Sequence, residues 1–154
     1  LLNKYNEDAI NFCIRGIEYI KDGTYAYQKL FFYWWFYLAL IECYLQKEPT
    51  RYFNEIEHCI KKLNQYELLL NSSKKFYILQ LKAIFFYYKA EIEHASATNK
   101  ECMEVLRHSK YKCNMDYLPM QLEHNQCVIE GIEDSGEVSS LVHTNDCLFN
   151  LPCL

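Results

Sequence analysis

Cysteine and histidine gather late in this chain, as Cys102, His108, Cys113, His124 and Cys127. Zinc takes about four such ligands converging tetrahedrally. His124 and Cys127 share one helical face at i,i+3, and Cys113 could approach from a preceding helix, but no pair has finger-like spacing and no CxxC occurs. Side chains buried or solvated for ordinary reasons are therefore expected, with no metal and no cofactor; a zinc- or cysteine-dependent protein is kept as an alternative. A cysteine nucleophile would need an adjacent base and an oxyanion stabiliser, and no local signature announces either. His94 and His108 stand among polar positions. Gly16, Gly23, Gly131 and Gly136 are isolated, so no glycine loop can cradle phosphate. No catalytic residue is assigned, and a non-enzyme is expected.

At 154 residues, 51% apolar and 16% aromatic, with few Gly and Pro, the chain suits one packed helical domain rather than disorder or a turn-rich sandwich. A net charge of -4, with basic doublets only at Lys61-Lys62 and Lys74-Lys75, argues against a nucleic-acid partner. Of the eight cysteines, Cys13, Cys43 and Cys59 fall in or beside helical apolar stripes, where a free thiol acts as a small hydrophobe. Reduced cysteine and an intracellular location, cytoplasm or nucleus, are expected. The chain starts Leu-Leu without Met or a targeting pattern, as an excised segment or processed chain would.

Six helices account for the punctuation. The first, about Glu7 to Lys21, spaces Ile10, Cys13, Ile14, Ile17 and Ile20 by threes and fours, with Asn6 as cap and Gly23 as stop. The second spans Tyr25 to Gln46, and the third begins at Pro49 or Thr50 and continues to about Leu70. Lys74 to about Ala95 forms the fourth, with Lys75, Lys82 and Lys89 as its polar seam. Thr98 to Glu101 is a capping-box pattern that opens the fifth, which runs towards Cys113. Asp116 caps the sixth, which Gly131 weakens and Ser135-Gly136 ends. The expected division is a helical domain over 1-134 and an irregular apolar tail over 135-154.

The very apolar second and fourth helices start about 49 residues apart, and each is followed by an amphipathic helix. Antiparallel hairpins stacked side by side follow from short links between such helices. From about Tyr25 to Ile132 this stacking resembles the tetratricopeptide-like superhelical repeats. With Trp35 at that family's tryptophan position, Leu38 and Ala39 suit the next two, whereas Glu42 replaces an aromatic and Arg51 a small residue. The resemblance implies an all-α superhelix or bundle, and no peptide-clamp residue carries over.

The second helix carries the run Leu30 to Ile41, 12 residues without a charge. A membrane span needs about 20. Extending the run takes in Gln28, Lys29 and Glu42, so a core helix is expected and not a lipid-crossing one. Gln28, Phe32, Trp35, Ala39, Glu42 and Gln46 alternate spacings of four and three and share one stripe. If its polar members see water, Phe32 and Trp35 lie near the surface between them. Phe32, Trp35, Ala39 and Glu42 are therefore the candidate partner-binding residues of a scaffold, the partner being another protein or another segment of a larger chain. An obligate homodimeric bundle, with the stripe covered by self-association, is the alternative.

Overall fold

The computed structural model describes residues 2–21, 26–65, 72–108 and 117–131, and side chains within 7–21, 31–65, 75–108 and 118–131. These residues form an all-α bundle of six helices: α1 (Leu2–Lys21), α2 (Ala26–Lys47), α3 (Phe53–Asn64), α4 (Ser72–Tyr88), α5 (Ile92–His108) and α6 (Tyr117–Glu130). A 3-10 turn, Pro49–Tyr52, leads into α3. The expected apolar tail lies outside the described residues.

Helix α1 starts well before the expected Glu7, so Asn6 is an internal residue and not a cap. The extra turn lets α1 run the length of α2, and the Glu7–Lys47 ion pair at 2.6 Å ties its early turns to the end of α2. Phe12 meets Phe36 nearer the middle, with ring centroids 6.0 Å apart. The two helices are thus antiparallel. Glu48 is extended before Pro49, where the proline ring disfavours a helical predecessor. The third helix is accordingly shorter than expected at its start: Pro49–Tyr52 coils tightly so that Tyr52 can stack on Tyr44 at 4.8 Å, and the α-helix begins only at Phe53.

The larger correction falls between α4 and α5. No glycine or proline marks the junction, so the expected fourth helix continues to Ala95, but Ala90 adopts a left-handed conformation with φ 60°. Its N–H donates to the Tyr87 carbonyl and that of Glu91 to the Phe86 carbonyl, both at 2.9 Å. This is a Schellman cap built on alanine in place of glycine, at a backbone cost of about 1 kcal/mol. Packing secures the reversal: Lys75 reaches Glu101 at 3.0 Å, the Cys102 thiol donates to the Phe76 carbonyl at 3.4 Å, and Phe86 faces His94. Thr98 is consequently inside α5 and caps nothing. Helix α6 ends one residue before Gly131, which has φ 67°.

The core runs through all six helices, and α4 is the most completely enclosed. Phe76 to Leu81 are buried without interruption, as are Ala83, Ile84 and Phe85. Trp34, Leu38, Ile41, Ile56, Leu63, Ile84, Leu118 and Leu122 are almost wholly removed from water. Each such side chain contributes roughly 1.5–3 kcal/mol of transfer free energy.

The α5–α6 seam is built differently. Buried Asn99 donates through Nδ2 to the Leu122 carbonyl at 3.0 Å and to Gln126 Oε1 at 2.9 Å. Gln126 Nε2 in turn donates to Ser96 Oγ and Glu130 Oε1, at 2.7 and 2.6 Å. Lys100 completes the chain with a 2.9 Å ion pair to Glu130.

Candidate functional site on helix α2

Helix α2 is too apolar to have a wholly polar outer face, so the side not covered by its neighbours must show aromatic groups. Its neighbours in the fold are α1, α3 and part of α4. Trp34, Tyr37, Leu38, Ile41 and Leu45 turn inward and are buried, Trp34 being only 2% exposed. Phe32, at 47% exposure, marks the opposite side. Trp35, Ala39 and Glu42 are half-buried, and Gln46 Nε2 donates to Glu42 Oε1 at 2.8 Å. Gln28, the remaining member of the stripe, has a side chain outside those described.

Trp35 is held between core and surface. Its ring stands edge-on to Trp34 at 5.0 Å and to Phe31 at 6.1 Å, and Phe31 meets Phe32 at 5.8 Å. Edge-to-face pairs fix ring orientation and add about 0.5–1.5 kcal/mol beyond area burial. Trp34, Trp35, Phe31 and Phe32 thus form a chain of ring contacts that runs from the core to the surface.

Two aromatics that the stripe omits belong to this surface. Phe31 is 44% exposed and contacts both Phe32 and Trp35; its place in an uninterrupted aromatic run concealed it. Phe12 is 67% exposed on α1 and leans on Phe36, one turn beyond Phe32. Phe12 was detectable, because it lies off the Ile10–Cys13–Ile17 stripe and so has no core to enter. Gly16 admits the Phe36 ring against α1: a Cβ added there would fall 2.7 Å from Cε1 and Cε2.

The other side of α2 floors an open groove of about 440 Å³. Tyr37, Leu40 and Tyr44 form the floor; Ile14, Ile17 and Glu18 of α1 stand on one side, with Glu55, His58 and Cys59 of α3 on the other. Burial, reinforced by Cys59 and Glu55, pushes the Tyr44 hydroxyl up to about 12. Burial likewise lifts the Cys59 thiol to about 12 and the Cys13 thiol to about 11, and it raises Cys43. Such thiols stay protonated near neutrality and are poor nucleophiles.

The late Cys/His residues do not converge. Cys102 is buried against the Phe76 carbonyl, with its thiol raised by desolvation. His108 is exposed and bonds the Glu104 carbonyl through Nδ1 at 2.8 Å, and His124 is exposed while Cys127 is half-buried on α6. Cys113 lies outside the described residues. Among the described residues no group of three His, Cys, Asp or Glu side chains is placed to hold a metal ion, and no helix is long and apolar enough to cross a membrane.

No known family model, curated protein or solved structure matches this chain. What the surface of α2 can do follows from its geometry.

Proposed function

We propose that this chain is a non-catalytic helical scaffold, related in its stacking to helical-repeat domains, which binds another protein or another segment of a larger chain through the aromatic surface of α2. The observation that carries this reading is the set Phe31, Phe32 and Trp35. Two of its rings are almost half exposed while a third is anchored on buried Trp34. Large aromatics held rigidly at a surface lose little conformational entropy on binding, and they are enriched among the residues that dominate interface energies. Glu42, bonded to Gln46, supplies a polar edge to the patch. A reducing, intracellular setting fits the described cysteines, all of which are free thiols.

Crosslinking followed by affinity capture, with wild type compared against Phe32→Ser and Trp35→Ala, tests the proposal. The expected result is loss of a specific crosslinked species in both variants while their circular dichroism remains helical. Unchanged crosslinking with the fold intact removes the stripe from the binding surface. If the lost species is the chain's own dimer, confirmed by light scattering, the partner is a second copy.

A further inference from the structure

The groove on the opposite side of α2 is a second surface, roughly 150° around the helix from the Phe32–Trp35 stripe. Helices α1 and α3 both pack on α2 but scarcely on each other, so they stand as two walls with α2 between them. From Tyr37 to Tyr44 the floor runs two turns, roughly 10 Å. Ile14 on the α1 wall is 39% exposed, an apolar side chain facing a space that no described element fills.

Charge frames this space from both sides. Glu18 lies on the α1 wall and Glu55 on the α3 wall, and both are exposed. Glu7 and Glu48, by contrast, are engaged, with Lys47 and Arg51 respectively. Glu18 and Glu55 meet no cation among the described residues. Their carboxylates therefore border an apolar trough with no ion-pair partner among the described residues, and Asn54 and His58 add hydrogen-bonding groups along the α3 rim.

We infer that this groove is a docking site for a basic amphipathic helix of a partner protein, whose apolar residues at i, i+3 and i+7 enter between Ile14, Leu40 and Tyr44 while flanking Lys or Arg side chains meet Glu18 and Glu55. A trough with helical walls accepts a third helix by the same ridge-and-groove packing that holds the bundle. The charges supply orientation and salt-sensitive attraction, and the apolar floor supplies the burial. The site is independent of the aromatic stripe, so either can fail without the other.

The test selects, against the full chain, from a display library of 18-residue helices with Leu fixed at i, i+3 and i+7 and the flanking positions randomised. The expected winners carry Lys or Arg at the flanks and bind Glu18→Gln/Glu55→Gln about fivefold more weakly, a change typical of two partly exposed ion pairs. They also weaken with added salt and with Ile14→Ser, and are indifferent to Phe32→Ser. Winners with acidic or unbiased flanks, or indifferent to the double glutamine variant, overturn the inference. So do winners lost only with Phe32→Ser, which place the peptide on the other face. Failure to select any helix, while octylammonium shifts the groove's NMR signals, assigns the groove to a small organic cation and also overturns it.

Discussion

The α1–α2 seam and the α5–α6 seam join antiparallel helices by opposite means. The first is aromatic, with Phe12 on Phe36, a glycine opening at Gly16 and, among the described residues, one ion pair, Glu7–Lys47, near one end. The second turns on buried Asn99 and a hydrogen-bonded series through Gln126, Ser96, Glu130 and Lys100. Apolar contact tolerates many relative placements, whereas a hydrogen-bonded network favours one, because a slip strands further buried donors and acceptors; Asn99 Oδ1 already lacks a partner among the described residues. The polar seam therefore favours one register, and the aromatic seam leaves rings part-exposed at its margin.

That contrast can be broken at either seam. Trp34→Ala removes the largest side chain at the base of the aromatic cluster and should cost about 3–5 kcal/mol, read as a fall in the denaturant midpoint at constant slope. A loss below 1 kcal/mol would mean that Trp34 does not anchor the patch. Asn99→Ala leaves the Leu122 carbonyl and Gln126 without their donor and should cost about 1–3 kcal/mol, whereas Asn99→Leu, which also fills the space, should cost less than the alanine if polar satisfaction is secondary to volume. Measuring both variants by chemical denaturation determines whether the network stabilises the fold or chiefly specifies it.

Gly16→Ala sets helix propensity against space. Alanine gains about 1 kcal/mol of intrinsic preference but drives its methyl into the Phe36 ring, and overpacking costs about 1–3 kcal/mol. A net loss of about 1 kcal/mol is expected, relieved in Gly16→Ala/Phe36→Leu; a stabilised single variant would show that the ring moves freely. The smallest effect belongs to Glu130, whose carboxyl is held below its ordinary value of 4.5 by Lys100 first, then by Gln126 and Ser96. A depressed folded-state value stabilises the fold above the ordinary carboxylate range, and that contribution is lost as pH falls through the lower value. Thermal melts from pH 6 down to pH 2.5 should show Glu130→Gln losing less stability than wild type over the acid limb; parallel curves would remove Glu130 from the account.

Legibility in the sequence followed from how local each cause was. The three-and-four spacing of Phe53, Ile56, Ile60 and Leu63 marks one face of α3, and the last three are buried while Phe53 is half-buried; Leu118, Leu122 and Ile129 of α6 are likewise buried. The α4–α5 reversal escaped because alanine carries no turn signal, and only contacts spread along both helices hold Ala90 left-handed. Asn99 escaped for a related reason: a polar residue reads as surface until a carbonyl and an amide from α6 are brought to it.

The aromatic run shows the same division. From the sequence by itself it followed that α2 is helical, too short in its apolar stretch to span a membrane, and polar enough along one stripe to be oriented, because these properties depend on spacing within a few turns. Which rings stay exposed was decided only by tertiary structure. Neighbouring Trp34 and Trp35 have the same chemistry, yet one is sealed in the core and the other lies at its edge, because α1, α3 and α4 together cover only part of the circumference of α2. Burial is a property of the partners a side chain meets, and those come from distant parts of the chain.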